Sequence, residues 1–415
     1  MNSLKTSNES VLRPPNFTIQ IKQLISEIDS VLLRHNNYNF SRWKKAHYKA
    51  VKNWLLKYKP PENNPSNLAI ITGYIEALYH LCKVEDWDKV KKILSMNVDN
   101  NFPDYQFHNQ LGIWGLYKQQ ISIYCSLLEK IDYQWDCRFL EGLGNAYDAL
   151  GNHEKAIDYR QQWRQIAQNI GDKKEEGKAL CNLGISDSFS GDLVLAAFNV
   201  DKDNLRSIKP MWKRSNYTAI VNWLTKYSVN SNSSNLEKLK GFIETFFHFC
   251  GVESWLEAKE ILLIRLDTPT NEELHQQLQT WGYYREAMDL YFKLFGKLDS
   301  WWEAITLTGI GKVYIATGDF YKAIDYLQKS LAISKNIGAI QTEINVLNNL
   351  GKTYRFLENN YAAIQANIES LRIAKNTGNR INESLVMSDL GVTYVAIKDN
   401  KKALYYLQKS LDIAR

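Results

Sequence analysis

Two short motifs hold residue types that could do chemistry, and each occurs once in either half of the chain. His80-Leu81-Cys82 and His248-Phe249-Cys250 set an imidazole two residues from a thiol. Residues two apart on a helix point about 200° from one another, so neither pair closes on a single metal ion, and a buried structural role follows. The five cysteines stand at 82, 125, 137, 181 and 250. No CxxC spacing occurs among them, which supports neither a disulfide framework nor a zinc site. No signature of a Cys–His nucleophile accompanies any of the seven histidines. Gly309-Ile310-Gly311-Lys312 ends in a glycine-lysine step but lacks the GxxxxGK[ST] spacing that cradles phosphate. No catalytic residue, metal ligand or cofactor is assigned, and the chain reads as non-enzymatic.

The twelve tryptophans could stack the bases of a single strand. Ten of them instead pair off at a nearly fixed offset: 43/212, 54/223, 87/255, 114/281 and 135/302. Fixed placement within a repeat argues for core packing, so nucleic acid is set aside as a partner. The 415 residues are 45% hydrophobic and 23% charged, enough apolar material for a large core. Mean hydropathy is −0.39, and no run approaches the length of a membrane span. The N-terminus lacks the apolar stretch of a secretory signal, and a reducing cytoplasm fits the cysteine usage. The net charge of +6 is uneven: residues 1–60 carry eleven Lys/Arg against three acids, so they hold +8 and the rest −2. That basic end is either a solvated helix face or a handle for an anionic partner.

Repeats position all of these residues. Gly311, Gly351 and Gly391 each sit in Leu/Ile-Gly-x-x-Tyr, with tyrosines at 314, 354 and 394 and alanines at 323, 363 and 403. Ser330-Leu331, Ser370-Leu371 and Ser410-Leu411 close the three units. Gly144, Tyr147 and Ala156 form another copy, and Gly184 with Ala196 starts a weaker one in which Asp187 replaces the tyrosine. Small residues at the glycine and alanine positions let two antiparallel helices approach, and such pairs must stack to bury both faces. A longer duplication contains the short one. Residues 42–58 and 211–227 share nine of seventeen positions. The chain therefore divides into an N-terminal tail and helix (1–41), a first array (42–208) and a second, duplicated array (211–415). Units are expected at 137–169, 177–208, 304–337, 344–377 and 384–415. Residues 1–16 read as disordered, 17–35 as one amphipathic helix, and 59–66 and 228–234 as linkers.

The glycine, tyrosine, alanine and serine-leucine positions resemble the tetratricopeptide repeat family in a 40-residue form, similar to cyanobacterial multi-repeat proteins and Pins-type adaptors. The resemblance implies an all-α, right-handed α-solenoid of stacked antiparallel helix pairs. It implies a scaffold or adaptor that binds a protein or extended peptide in a concave groove lined by the first helix of each unit. With the repeat glycine as position eight, the polar groove residues are Asn145, Asn182, Lys312, Asn345, Asn348, Asn349, Lys352, Arg355, Ser388 and Asp389. Side-chain amides suit a peptide backbone, and Lys352 with Arg355 favours an acidic segment. The alternative is a regulatory or sensor module of a larger signalling assembly with an ATPase, kinase or caspase-like partner. Two further contacts are expected to be weaker: a membrane surface against 42–59, where aromatics mix with basic residues, and self-association at the C-terminal end, where the second helix of the last unit leaves apolar residues uncovered.

Overall fold

A computed structural model describes residues 19–34, 41–61, 66–97, 106–184, 191–230, 232–268 and 270–414. The tail 1–16 and Asp187 lie outside the described residues. Among the described residues the architecture is all-α, apart from two isolated bridges, and no helix is long and apolar enough to cross a membrane.

The chain forms two compact units, Met1–Gln120 with Glu129–Asp132, and Ile121–Leu128 with Tyr133–Arg415. The first holds α1 (Ile19–Arg34), α2 (Arg42–Lys57), α3 (Asn67–Lys83), α4 (Trp87–Leu94) and α5 (Phe107–Ile113). Helix α6 (Tyr117–Leu127) begins in the first unit and ends in the second. The second unit continues with α7 (Tyr133–Ala149), α8 (His153–Ile170), α9 (Lys173–Leu183), α10 (Gly191–Ala197), α11 (Met211–Thr225), α12 (Asn235–Gly251) and α13 (Trp255–Leu263). It ends with α14 (Leu274–Thr280), α15 (Tyr284–Leu294), α16 (Ser300–Thr317), α17 (Phe320–Ile337), α18 (Ile340–Phe356), α19 (Asn360–Thr377), α20 (Arg380–Ala396) and α21 (Asn400–Ala414). Consecutive helices pack in pairs: α7 on α8, α16 on α17, α18 on α19 and α20 on α21.

Helix ends follow the repeat. Asp319 and Asn359 accept from the backbone N–H three residues on, at Lys322 and Ala362, and satisfy donors the first turn leaves open. Gly171, Gly318, Gly338 and Gly378 close α8, α16, α17 and α19 in the left-handed conformation. The weak unit departs as Asp187 suggests: α9 stops at Leu183, followed by Gly184 with φ +116°.

The motif residues do identifiable work. A methyl group on Gly311 would sit 2.7 Å from Leu327, and on Gly391 2.6 Å from Leu407, so the helices touch where the side chain is missing. Ser330 Oγ donates to the Ala304 carbonyl at 2.7 Å, Ser370 Oγ to that of Ile344 at 3.3 Å, and Ser410 Oγ to that of Ser384 at 2.8 Å. The repeat tyrosines stack on a second tyrosine with ring centroids 5.4 to 5.5 Å apart, as Tyr147–Tyr159, Tyr314–Tyr326 and Tyr394–Tyr406. Lys155, Lys322 and Lys402 stand over the first ring of each pair.

Residues matched by the duplication take equivalent places. Tyr58 Oη donates to the Ala69 carbonyl and Tyr227 Oη to that of Glu237. Asn97 bridges Gln106, and Arg265 bridges Glu273. Trp135 and Trp302 are buried, as expected of core residues, but Trp43 and Trp212 are 51% and 53% exposed. They stand in the first turns of α2 and α11, and their indoles are left in solvent.

Candidate functional site

In the second unit α16, α18 and α20 lie side by side and show solvent the same register of residues. Lys352 on α18 reaches Asp389 on α20, with Nζ 3.6 Å from the carboxylate. Burial raises the Asp389 pKa, and Lys352 and Arg355 oppose it. Lys312 on α16 is reached by solvent but walled by protein. That environment lowers its ammonium pKa, helped by Lys352 and opposed by Glu272. The three helices therefore carry Lys312 on α16, Lys352 and Arg355 on α18, and Asp389 on α20. Arg355 lies over the ring of Phe356, 5.3 Å from its centroid.

The amide residues behave less uniformly. Asn345 is exposed and accepts from Gln341, and Asn349 Nδ2 donates to the Asn345 carbonyl at 2.9 Å. Asn182 Nδ2 donates to the Lys178 carbonyl of its own helix, and Ser388 is half-buried on α20. Asn145 is exposed and accepts from Arg160 at 3.2 Å. Asn348 does not line the groove as expected. It is buried between α18 and α19, where its Oδ1 accepts from Ser370 Oγ. Position five of that helix faces its own partner helix, and a polar residue is held there only because the repeat serine satisfies it.

A second polar cluster lies on α7 to α9 and the loop before α14. Arg160 on α8, 1% exposed, donates to Asp148 at 2.6 Å, and Arg265 meets the same carboxylate at 3.1 Å. Burial raises the Asp148 pKa, but the two guanidiniums outweigh it and hold the carboxyl below its usual range. The Arg265 backbone N–H donates to the Cys181 carbonyl at 3.0 Å, which ties the loop to α9. Nearby, burial, then the Glu260 carboxylate, push the pKa of Glu141 on α7 up to about 7. Lys178 pairs with Glu175 at 2.8 Å.

The candidate chemical motifs are accounted for structurally. His80 Nδ1 meets His47 Nδ1 at 2.8 Å, and His248 Nδ1 meets Asn216 at 2.9 Å, so both rings bridge neighbouring helices. Burial pushes the Cys82 thiol up to about 11 and those of Cys137, Cys181 and Cys250 up to about 12, far from a nucleophilic thiolate. Gly309 lies inside α16, where a methyl group would meet the Tyr291 ring at 2.3 Å.

Reading only polar residues misses half of the groove. Leu385, Val392 and Val395 occupy positions two, nine and twelve of the last unit and are 52%, 41% and 53% exposed, and Phe356 at position thirteen of the preceding unit is 51% exposed. Applying the same register to apolar residues would have found them. The residue types of Arg265, Glu272 and Glu273 do not recur in the first copy, where Asn97 and Gln106 stand at the matching bridge, so only the fold brings their charges in.

Comparison with protein families matches tetratricopeptide repeats at residues 342–415, and at 138–162 and 304–337. No curated protein matches the chain. Similar solved structures include the following three. One is a signal transduction ATPase with numerous domains that has a tetratricopeptide repeat sensor, from Pyrococcus horikoshii, at 14% identity over 92% of this chain and 54% of that one, TM-score 0.35. The chain thus spans about half the length of that protein. A Rap protein complexed with competence and sporulation factor is 10% identical over 83% of this chain and 97% of its own, TM-score 0.42. The APC/C hetero-tetramer Cut9-Hcn1 is 14% identical over 95% and 87%, TM-score 0.31. Helix pairing, motif geometry and family match agree: residues 138–162, 304–337 and 342–415 of this chain are tetratricopeptide repeats.

Proposed function

We propose that the second unit binds an extended acidic peptide segment along the α16–α18–α20 groove. Tetratricopeptide repeats make the chain a protein-interaction module, and the repeat fold supplies no chemistry of its own. The observation that supports the acidic preference is the set of Lys312, Lys352 and Arg355, with Asp389 beside Lys352 and Glu272 acting on Lys312. Lys312 is exposed but walled by protein, and that environment lowers its ammonium pKa, so an incoming carboxylate would favour its charged form. Leu385, Val392 and Val395 beside the cations favour a segment that alternates acidic and apolar side chains.

The test is fluorescence anisotropy of a labelled short polyglutamate peptide against wild type and Lys352→Glu/Arg355→Glu. Charge-assisted contacts of this kind predict a loss of roughly tenfold or more in affinity, with helicity and melting nearly unchanged. Equal affinity in the variant sinks the groove assignment.

A further inference from the structure

Helix α2 of the first unit carries six cations and no acid along its 16 residues. Only Lys52 is paired, with Asp29 of α1. Among the described residues Arg42, Lys44, Lys45, Lys49 and Lys57 have no carboxylate partner. Arg42, Lys44, Lys49 and Lys57 are exposed, and Lys45 is half-buried. At about 100° per residue Arg42, Lys45, Lys49 and Lys57 fall within about 60° of one line along the helix, so they form one stripe rather than a scattered set. The helix is about 24 Å long, and Leu56, 37% exposed, stands in the stripe. Trp43, 51% exposed, stands at its margin in the first turn.

The duplication supplies an internal control. The equivalent helix α11 keeps the tryptophans and tyrosine but replaces Arg42 with Met211, Lys49 with Thr218 and Lys52 with Val221. It holds only Lys213 and Arg214 within its bounds. Lys226, the match of Lys57, follows as its C-cap, so the same helix packs without counterparts of Arg42, Lys49 and Lys52, and that extra charge on α2 is not required by the fold. Arg42 with Lys45 and Lys45 with Lys49 are like-charge pairs at i,i+3 and i,i+4, which oppose helix formation, so the fold gives no account of their presence.

We propose that this face of α2 docks on an anionic lipid surface. A stripe of flexible lysines follows a plane of headgroups without demanding a fixed geometry, and an indole with a leucine at its margin and centre suits the interfacial layer. Nucleic acid is matched less well. The stripe has one arginine for base or phosphate forks, and it is the outer side of a helix packed on α1 and α3, with no groove to track a strand.

The experiment is co-sedimentation of the full chain with vesicles of phosphatidylserine in phosphatidylcholine, at low and high salt, with pure phosphatidylcholine vesicles and a labelled single-stranded oligonucleotide as the other arms. Binding to the anionic vesicles that falls with salt is expected. Each cation near such a surface contributes roughly a fivefold factor, so Lys45→Glu/Lys49→Glu/Lys57→Glu, all within the stripe, should lose roughly a hundredfold or more. Arg42→Met/Lys49→Thr installs residues the duplicate already tolerates and should lose roughly twentyfold with the fold intact. Lys213→Glu/Arg214→Glu should bind as wild type. Undiminished binding by both α2 variants, equal binding to neutral vesicles, or retention of the oligonucleotide without the anionic vesicles each overturns the proposal.

Discussion

Glu141 shows how packing in the second unit burdens an individual residue. Burial disfavours the charge of its carboxyl, and Glu260 adds repulsion. The folded pKa of about 7 lies above the ordinary value of 4.5. Ionising this group therefore opposes folding: its contribution to stability is full below the unfolded pKa and is lost as pH rises through 7. Thermal melts across that window should show wild type losing on the order of 2 kcal/mol between acid and alkaline buffers. Glu141→Gln, neutral at every pH, should melt higher than wild type at alkaline pH and show a flatter profile. The same slope in both proteins would place the titration elsewhere. Burial raises the Asp389 carboxyl in the same direction, with Lys352 and Arg355 opposing it.

At the scale of the element, helix pairs meet where a side chain is missing. Gly142 and Gly309 occupy matching places in the two copies, and a methyl group at either would meet a tyrosine ring, Tyr124 or Tyr291, at 2.3 Å. Tyr291 cannot give way: it is buried, its hydroxyl meets His275 Nδ1 at 2.7 Å, and Gln279 donates to it at 2.5 Å. Gly309→Ala should therefore cost about 1–3 kcal/mol by overpacking, seen as a lower denaturation midpoint with helicity retained. Wild-type stability would show that α15 can shift against α16. The recurrence of Gly, Tyr, Ala and Ser-Leu at a spacing of 40 was enough to place the helix pairs, because those residues meet within one unit. What the serines bond to was not legible: their acceptors lie 26 residues earlier, and nothing local marks a carbonyl as free. Asn348 was misplaced for the same reason, since the periodicity that puts it near the groove does not register Ser370 on the facing helix.

For the whole molecule the consequence is two compact units, each with its own core. Val51, Ile71, Leu78, Phe107 and Leu111 are buried in the first, and a large cluster from Cys181 to Val313 in the second. Stability in repeat arrays is a sum of local terms, so calorimetry should resolve two heat-absorption peaks, with Gly309→Ala moving one of them and leaving the other in place. A single peak shifted as a whole would show one cooperative body. The sequence by itself determined the helical class, the 40-residue unit, the duplication and the cationic character of α2, because each is carried by residue types at fixed spacing. Only the tertiary structure decided which groove residues remain open, which amides are consumed between helices, and which loop residues join the Asp148 cluster. Those outcomes depend on side chains brought together from far apart in the chain, and spacing along the sequence holds no record of such meetings.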